Sequence, residues 1–496
     1  MIRAWRDLAW VVSARAAVSA LVLASGFRAI SDDDYARVVI AERWAAAPRL
    51  DPSGTSWLPL PLWMQGAAMA VLGPGLAAAR AAALVSGLAA AALIYIAARW
   101  IWAADDERTA RWAAASGAIL ASCLPLAARL GVATVPELPT AALTLVAVAS
   151  VAESPPSSPP LPTQRGDRGV RCSETWGQRR LGGACAILAA SLSRYEAWPI
   201  AALLAAWLGV DAYRARGAAR ARAAFAACVA AAGPLAWIAH NRVAHGDAFA
   251  FAGRVAAYRR ALGEGGAGPL AIAWAYVGST LRAEPELFVL LAGLGAIGWS
   301  RRAVLRPLGR PAALVAAMLV ALVAAGARDG APTHHPERAL LVLAMVAALG
   351  VARLVVSTPR LHAALVLTAA AAAGGWTRWS APVDDFALRR DEEAIGTLAR
   401  GLGAGLPPAA PVLVEVVDYG HLAVLAGIGR PDACVPDRDV DPRKPQRPSS
   451  FSDSGALRAR IAEIGARAVV GRRSDATAPL GEPSATAGAW GLWLVR

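Results

Sequence analysis

Cysteine and lysine are both scarce in this chain of 496 residues, which has five cysteines and a single lysine, Lys444. The cysteines are scattered without a CxxC pair, so the sequence indicates neither a zinc knuckle nor a disulfide framework. Walker A and dinucleotide-binding glycine motifs are also missing, because the Gly-rich stretch 263–268 contains no Lys-Ser or Lys-Thr pair. Nucleotide binding is therefore not predicted. We find neither an internal repeat nor the inverted repeat of many transporters.

Hydrophobic residues, by contrast, make up 56% of the chain, and the mean hydropathy is +0.43. A soluble protein of this size is less apolar, and several segments approach the roughly 20 residues that cross a bilayer. Inside hydrocarbon every backbone polar group needs a partner within its own segment, so these spans are predicted to be helices. The sequence therefore predicts an all-α polytopic membrane protein.

The net charge of +14 comes mainly from arginine. A basic chain can indicate nucleic-acid binding, but here the arginines concentrate in short loops between apolar segments, as they do in oriented membrane proteins. We expect a lipid bilayer, and no nucleic acid, as a partner. Arg3 and Arg6 precede an apolar run that resembles a signal peptide. Because Arg15 interrupts this run and no clear A-x-A site follows, we interpret it as a retained first span.

The charged loops orient the spans, with basic clusters inside and the first acidic loop outside. This reading gives about eleven transmembrane helices. The predicted spans are about Leu8–Phe27, Leu76–Trp100, Trp112–Ala127, Thr140–Ala152, Leu181–Leu192, Ala197–Val210, Ala223–Ala239, Leu287–Trp299, Ala312–Ala325, Arg338–Val356 and His362–Gly375. The transmembrane domain would cover residues 1–376, with outer loops at 28–75 and 240–283 and a Pro- and Arg-rich inner segment at Glu153–Arg180.

The last part of the chain, residues 377–496, has a different pattern. Helical periodicity and buried-strand runs alternate there, in the order Asp391–Leu402 (helix), Val412–Val417 (strand), Leu457–Ile464 (helix), Ala466–Val470 (strand) and Leu492–Val495 (strand). Alternation of this kind predicts a small α/β soluble domain. The span count places this domain on the extracytoplasmic side.

Three adjacent carboxylates, Asp32, Asp33 and Asp34, follow the first span. One interpretation is structural, because aspartate favours the first turn of a helix. The other is functional. Adjacent carboxylates repel one another, and a bound cation or an acid–base role offsets that repulsion. A carboxylate at the membrane surface can deprotonate an acceptor hydroxyl.

The order of motifs around these aspartates resembles the GT-C glycosyltransferases. Tyr35 follows the acidic residues, then comes the Pro- and Trp-rich run Trp57–Trp63, and then Arg80 near the start of the next span. LSRYEAWPIAALLAAWL at Leu192–Leu208 is similar to the fifth and sixth spans of that family, and HHPERALLVLAMVAAL at His334–Leu349 is similar to its late outer loop and following span. The similar groups are protein O-mannosyltransferases, glycosyltransferase family 39 and aminoarabinose transferases. The resemblance covers about Leu8 to Gly375, and the tail carries no assignable motif.

The resemblance implies that an acidic residue of the first outer loop is the catalytic base. Asp33 is the first candidate, with Asp32 and Asp34 as alternatives. A second acidic residue is expected in the next outer loop, where Glu137 lies, although it could also be an exposed turn residue. The other candidates for substrate binding are Tyr35, Arg80, Arg194, Glu196, His335 and Arg338.

Two of these assignments also rest on chemistry. A departing polyprenyl phosphate needs neutralisation, and the guanidinium of Arg338 offers bidentate bonding to it. Arg194 and Glu196 are two residues apart and would not face each other on a helix, so we predict a turn there. The alternative for Arg194 is snorkelling to the interface.

A metal is the least certain component. Asp33, Glu137 and His335 form a possible ligand set for a divalent cation such as Mg²⁺ or Mn²⁺. An exposed pair such as His334 and His335 is more often a polar loop that binds no metal, and His240 and Asn241 are similarly weak candidates.

The sequence therefore predicts a multi-pass enzyme of the plasma (inner) membrane. It would transfer a sugar, with inversion, from a polyprenyl-phosphate-linked donor to an unknown protein, lipid or glycan acceptor on the extracytoplasmic face. The alternatives are a transporter or flippase for a lipid-linked or amphiphilic substrate, and a non-catalytic subunit of a glycan-assembly complex. In the tail, Asp418, Tyr419 and His421 are candidates for contacting an acceptor, and the alternative is that they only cap the end of a strand.

Overall fold

The structure is a computed structural model that describes residues 2–54, 57–152, 167–263, 268–328, 335–380, 388–407, 409–445 and 447–495. The first half of the predicted Pro- and Arg-rich inner segment, residues 153–166, and the candidate His334 lie outside the described residues, whereas residues 167–180 belong to a helix. Helices dominate up to residue 380, and a small five-stranded sheet follows.

The helices of the first part agree closely with the predicted spans. Their bounds are α1 (Ile2–Ala24), α2 (Asp32–Ala46), α3 (Leu60–Leu72), α4 (Leu76–Ile101), α5 (Glu107–Cys123), α6 (Pro125–Leu130), α7 (Glu137–Ala149), α8 (Asp167–Ser191), α9 (Trp198–Arg214), α10 (Gly217–His245), α11 (Ala250–Ala261), α12 (Pro269–Ala283), α13 (Pro285–Gly298), α14 (Gly309–Ala327), α15 (Pro336–Ala339), α16 (Leu341–Ser357) and α17 (Arg360–Ser380). Each predicted span overlaps one of these helices.

The number of membrane spans is not the number of helices, because a helix must be long and apolar enough to cross a bilayer. Among the described residues, four helices are long and apolar enough to cross a membrane, at Arg3–Ala24, Leu76–Ile101, Gly217–His245 and Ala303–Ala327. Several others are apolar but shorter, with 10–17 residues. The predicted count of about eleven spans is not confirmed.

Arg15, which interrupts the first apolar run, is fully buried in α1. Its guanidinium donates hydrogen bonds to the carbonyl oxygens of Ser122 (2.6 Å), Ala127 (3.2 Å) and Ala128 (3.0 Å). These carbonyls lie near the junction of α5 and α6, where Pro125 begins a new helix and leaves backbone acceptors without helical partners. Arg15 therefore provides hydrogen-bond donors for the free carbonyl groups at the break between two helices. This role explains why a charged residue lies inside an apolar helix.

Small residues let the helices approach one another closely. A Cβ atom added to Gly87 of α4 would lie 2.1 Å from the carbonyl oxygen of Gly131, which follows α6. A Cβ added to Gly117 of α5 would lie 2.7 Å from a methyl group of Leu349 in α16. Close packing through glycine and alanine is typical of helix contacts in membranes, where burial of apolar surface provides little driving force.

The C-terminal part forms a mixed sheet with helices packed against it. The elements are α18 (Arg390–Leu402), β1 (Val412–Val414), α19 (His421–Ile428), β2 (Cys434–Pro436), α20 (Ser454–Ile464), β3 (Ala468–Arg472), β4 (Ala485–Ala487) and β5 (Trp490–Leu494). The strand order is β2-β1-β3-β5-β4; β1 pairs in parallel with β2 and β3, whereas β5 is antiparallel to β3 and β4.

The two predicted helices and three predicted strands of this part are confirmed. The sequence analysis missed α19 and the three-residue strands β2 and β4, which are too short to show a period. The predicted domain boundary at residue 376 falls inside α17.

Segment 28–75 and the C-terminal part share one hydrophobic core. Tyr35, Val38 and Val39 of α2 pack in the same cluster as Ile395 of α18 and Val424 of α19. Because α2 also packs on α3 and lies ahead of α4 in the chain, this core joins the sheet-containing part to the helices of the first part. The shared core fixes the wall of the cavity described next.

Candidate functional site

A cavity of about 1190 Å³ lies where segment 28–75, the turns around α7 and α9, helix α15 and the C-terminal part meet. Its lining is rich in charged side chains. Seven of the predicted site residues line it. They are Asp32, Asp33, Glu137, Arg194, Glu196, His335 and Arg338. Residues separated by up to about three hundred positions in the sequence therefore meet in one place.

The three adjacent aspartates have three different environments. Successive positions on a helix point about 100° apart, so the first turn of α2 directs each carboxylate towards a different neighbour. Asp32 accepts two hydrogen bonds from Arg389, at 2.8 and 3.0 Å. Asp33 lines the cavity, and no hydrogen bond to it occurs among the described residues. The carboxylate of Asp33 is thus available to a ligand.

Asp34 is the buried member of the three, with 3% exposure. One carboxylate oxygen accepts from the backbone N–H and the hydroxyl of Thr134, at 2.8 and 3.0 Å. The other accepts from the backbone N–H groups of Ile30 and Ser31, at 3.0 and 3.2 Å. Asp34 is therefore a capping residue that holds the α6–α7 turn against α2, and the structural interpretation of an acidic helix start applies to it.

Glu137 lies at the start of α7, before the predicted span Thr140–Ala152, and is buried on the cavity wall. Arg194 donates to one of its carboxylate oxygens at 2.5 Å, and Arg338 lies 3.8 Å from the same atom. Burial alone would raise the pKa of Glu137. The guanidinium groups of Arg194, Arg338 and Arg37 lower it by more than burial raises it, so the pKa lies below the ordinary value. Glu137 is held ionised in a cluster of arginines, not exposed in a turn.

The predicted turn at Arg194–Glu196 is confirmed. Arg194 has extended backbone angles and a short 3₁₀ turn, Tyr195–Ala197, follows it. This turn brings the two side chains together, and the guanidinium donates to Glu196 at 2.5 and 3.1 Å. Burial lowers the pKa of Arg194, but Glu196 and Glu137 raise it above the ordinary value overall. Arg194 is a permanent cation between two carboxylates.

Arg37 is a site residue that the sequence analysis missed. It lies one helical turn after Asp33 on α2, lines the cavity and is 5% exposed. Its guanidinium stacks over the ring of Trp57, 4.4 Å from the centroid. Within the described part of the chain, its Nε and Nη1 atoms have no hydrogen-bond partner. The i, i+4 spacing from Asp33 was the signal that could have revealed it.

Arg338, in α15, also lines the cavity and is also 5% exposed. It donates to the hydroxyl of Ser31 at 3.3 Å and to the carbonyl of Ile30 at 3.4 Å. His335 contacts Glu337 at 3.6 Å. Burial raises the pKa of Glu337, yet the hydrogen bond and charge of His335 help to hold it below the ordinary value.

The possible metal set of Asp33, Glu137 and His335 does not form a ligand cluster in the described residues. The three ligand-bearing side chains that do converge there are Asp51, His240 and His245. Glu137 already faces three guanidinium groups, and this surrounding charge favours an anion over a cation. The donor set does not fit Mg²⁺ or Mn²⁺, and no step below uses a metal.

Tyr35 and Arg80 require a correction, because neither lines the cavity. Arg80 donates two hydrogen bonds of 2.7 Å to the carboxylate of Glu393 in α18. The Tyr35 hydroxyl donates to the same carboxylate at 3.2 Å, and Arg28 lies 3.3 Å from it. Tyr35 and Arg80 therefore contact the C-terminal part, whereas the sequence analysis expected them to contact substrate.

The C-terminal part closes one side of the cavity. Of the three candidates there, Tyr419 and His421 line the cavity, whereas Asp418 pairs with Arg389 at 3.1 Å. The hydroxyl of Tyr419 lies 3.1 Å from that of Tyr258 in α11 and bridges the two parts. The basic residues on this side are Arg438, Arg443, Lys444, Arg447 and Arg460.

This arrangement can support two chemical tasks. Asp33, whose carboxylate accepts no hydrogen bond from the described residues, is placed to accept a proton from a bound hydroxyl. Arg37 and Arg338, both buried, are placed to stabilise an anion, and their charge acts more strongly there than in water. The cavity therefore combines a candidate base with a candidate anion site.

Comparison with family models and with curated protein sequences gives no match to this chain. Comparison with solved structures does. ArnT from Cupriavidus metallidurans bound to undecaprenyl phosphate is similar over 98% of both chains, with 14% identity and a TM-score of 0.58. Its apo state gives 13% identity and a TM-score of 0.58, covering 98% of this chain and 97% of that chain.

The oligosaccharyltransferase of Archaeoglobus fulgidus, tethered with an acceptor peptide, is a more distant match. It has 13% identity and covers 94% of this chain and 69% of that chain, but its TM-score of 0.48 is too low to carry an argument. ArnT is an aminoarabinose transferase of the GT-C superfamily. The GT-C fold implied by the sequence resemblance is thus confirmed, and the similarity extends into the C-terminal part.

Proposed function

We propose that this chain is an inverting membrane glycosyltransferase that moves a sugar from a polyprenyl-phosphate-linked donor to an acceptor on the extracytoplasmic face. One observation carries the proposal: Asp33, which has no described hydrogen-bond partner, shares a cavity with the buried cations Arg37 and Arg338. The shared fold supports the donor class, since the ArnT structure is bound to undecaprenyl phosphate.

The reaction follows from the charges in the cavity. Asp33 accepts the proton of the acceptor hydroxyl as its oxygen attacks the anomeric carbon of the sugar. The bond between that carbon and the phosphate oxygen breaks, and its electron pair leaves with the polyprenyl phosphate. Arg338 and Arg37 stabilise the charge that develops on this leaving group. A single displacement inverts the anomeric configuration.

Glu137, Glu196 and Arg194 have a supporting role in this scheme. The two carboxylates fix the Arg194 guanidinium at 2.5 Å on either side. Glu137 also faces Arg338 at 3.8 Å, close enough to orient its guanidinium electrostatically. Cations that are already in place need no reorganisation when charge develops, which is the main advantage of a preorganised site. His335 contributes by orienting Glu337 at the rim.

The remaining assignments concern location. We place the protein in the plasma (inner) membrane as a multi-pass protein, with residues 1–376 as the catalytic domain and residues 377–496 as an extracytoplasmic domain. Tyr419 and His421 would face the acceptor, because they line the cavity from the C-terminal side. The sugar and acceptor are left open. The transporter alternative receives no support from the fold comparison.

The test is sugar transfer by purified protein in liposomes, using polyprenyl-phosphate donors and measuring released polyprenyl phosphate. Asp33→Asn should lose transfer while retaining the wild-type unfolding temperature. Arg338→Ala should lose transfer and remain folded, with a lower unfolding temperature because its contacts to Ser31, Ile30 and Glu137 are lost. Asp475→Asn and Arg467→Ala are matched controls, because both residues are exposed in the C-terminal part.

Full transfer by Asp33→Asn would remove Asp33 as the base. Transfer that occurs only in a complex reconstituted with other proteins, and that all cavity variants retain, would favour the non-catalytic subunit. Movement of labelled lipid across the bilayer without turnover of any donor would favour the transporter.

A further inference from the structure

Asp51, His240 and His245 converge outside the cavity described above. Asp51 lies in the loop after α2, and the two histidines lie in the last two turns of α10. One ligand atom from each residue lies within 4.8 Å of the other two. The residues come from segments almost 200 positions apart, so the fold, not local sequence, brings them together.

The carboxylate of Asp51 is oriented by its own loop. One oxygen accepts three hydrogen bonds, from the backbone N–H of Ser53 (3.1 Å), the Ser53 hydroxyl (3.2 Å) and the backbone N–H of Gly54 (3.0 Å). The other oxygen, Oδ2, points to the histidines and lies 4.0 Å from Nε2 of each. Outer hydrogen bonds that fix a carboxylate in this way are characteristic of metal ligands.

His240 has a buried atom that needs a partner. Within the described residues its Nε2 forms no hydrogen bond, and 4.0 Å to Asp51 is too long for one. Its ring stacks on Trp237, with centroids 5.0 Å apart, so it is held facing Asp51. A buried polar atom without a partner destabilises a fold, and a bound metal ion would remove that cost.

His245 completes the set from the end of the helix. It is the last residue of α10, and Gly246 follows in the left-handed conformation, with φ of 74°. The C-terminus of a helix carries partial negative charge, which favours a cation beside it. The side chain is 30% exposed, so an ion held here would keep one position open to water.

We propose that Asp51, His240 and His245 bind a zinc ion. Two imidazoles and one carboxylate are ligands that Zn²⁺ accepts, with water as the fourth. Ligand atoms around tetrahedral zinc are about 3.3 Å apart at the usual bond lengths. The two separations of 4.0 Å between Asp51 and the histidines would therefore have to close by less than about 1 Å. The separation between the two imidazoles, which is within 4.8 Å, would have to close by at most about 1.5 Å, and side-chain rotation can supply both movements.

The proposed ion would act as a structural clip between the first outer loop and α10. The loop that carries Asp51 also carries Trp57, whose ring stacks on Arg37 of the cavity. On the other side, the indole of Trp237 donates to the hydroxyl of Tyr195 at 3.1 Å, and Tyr195 lines the cavity. The clip would fix two walls of the cavity, but its existence does not depend on the proposed transferase activity.

The test measures zinc directly, on full-length protein purified in detergent with a tag that lacks histidine. After chelation and dialysis against Zn²⁺, mass spectrometry of the metal content should give about one zinc per wild-type chain. His240→Ala and His245→Ala should each reduce bound zinc more than tenfold. His362→Ala is the matched control, because that histidine is exposed at the start of α17.

A second readout guards against misfolded variants. Zn²⁺ should raise the unfolding temperature of the wild type and of His362→Ala, but not of His245→Ala, since ligands stabilise the state that binds them. Co²⁺ in the wild type should show the intense visible absorption of a tetrahedral site. Wild-type protein that retains no zinc, or zinc content unchanged in both histidine variants, would overturn the proposal and leave plain His–Asp ion pairs.

Discussion

Arg80 and Glu393 form a bidentate ion pair, with both nitrogen–oxygen distances at 2.7 Å. The pair joins the start of α4 to α18 across 313 positions of sequence. The hydroxyl of Tyr35 and the guanidinium of Arg28 contact the same carboxylate. Three residues of the N-terminal part thus converge on one residue of the C-terminal part, and this contact keeps the latter over the cavity.

Glu393→Ala should loosen that attachment. The change leaves Arg80 without its partner in a largely buried position, which costs about 2–4 kcal/mol, less than a fully buried pair because Arg80 is 26% exposed. The unfolding temperature should fall, and limited proteolysis should release the C-terminal part. Glu482→Ala, at an exposed position of the same part, should change neither result.

Lowering the pH should also loosen the attachment of the C-terminal part. Burial raises the pKa of Glu393, but Arg80, Arg28 and Tyr35 lower it to below its ordinary value. A group with a lowered folded-state pKa stabilises the fold above its unfolded-state pKa of about 4.5 and loses this effect as the pH falls further. Stability that is independent of both acid and the Glu393 substitution would contradict the proposed attachment.

Asp34→Asn should produce a different defect from Asp33→Asn. Asp34 accepts hydrogen bonds at both oxygens, and the amide nitrogen of asparagine would face donors at one of them. We expect a loss of about 1–3 kcal/mol in the free energy of unfolding. Differential scanning fluorimetry should show this loss for Asp34→Asn and for Thr134→Val, and not for Asp33→Asn. Equal unfolding temperatures for the two aspartate variants would show that Asp34 is not a capping residue.

The sequence located the site better than it assigned its members. Hydropathy and loop charge predicted a helix at each expected span, and the motif order brought Asp33, Glu137, Arg194 and Arg338 into one hypothesis. All four line the cavity. Asp32 and Asp33 both line the cavity. Which of the aspartates is left without a hydrogen bond from the described residues depends on the rotation of the first turn of α2, and tertiary contacts such as Thr134 to Asp34 determine that rotation.

The sequence alone does not reveal ion-pair and hydrogen-bond partners that are distant along the chain. Arg80 fits a phosphate-binding role by position alone, and nothing near it in sequence reveals Glu393. Arg37 was overlooked because an arginine on an amphipathic helix ordinarily faces water, whereas the packing of α2 against α3 and α19 buries this one. The span count does not follow from hydropathy alone, since several apolar helices have only 10–17 residues, fewer than the roughly 20 that cross a bilayer.

Arg37→Gln should reduce transfer without unfolding the protein. The variant keeps a polar side chain on α2 but removes the cation that stacks on Trp57 and faces the cavity. Loss of one stabilising donor from an anion site reduces kcat by about 10²–10³. Steady-state kinetics with a polyprenyl-phosphate donor measures this change. Arg43→Gln, at a more exposed position of the same helix, should retain activity; equal kinetics for the two variants would place Arg37 outside the anion site.

Glu42→Gln should change the pH dependence of stability. Glu42 of α2 is 3% exposed, and burial raises its pKa to about 8. A carboxyl group with a raised folded-state pKa stabilises the fold fully below its unfolded-state pKa of about 4.5, and this effect is lost as the pH rises through 8. Glutamine mimics the neutral carboxyl group at every pH. Relative to the wild type, Glu42→Gln should therefore gain on the order of 3 kcal/mol between pH 5 and pH 8.

The measurement is the difference in unfolding free energy between Glu42→Gln and the wild type, taken at several pH values so that other titrating groups cancel. Glu482→Gln is the control, because its exposed position leads us to expect a constant difference over the same range. A constant difference for Glu42→Gln as well would mean that Glu42 is ionised in the fold. In that case the arginines nearby, Arg400 and Arg43, would outweigh its burial.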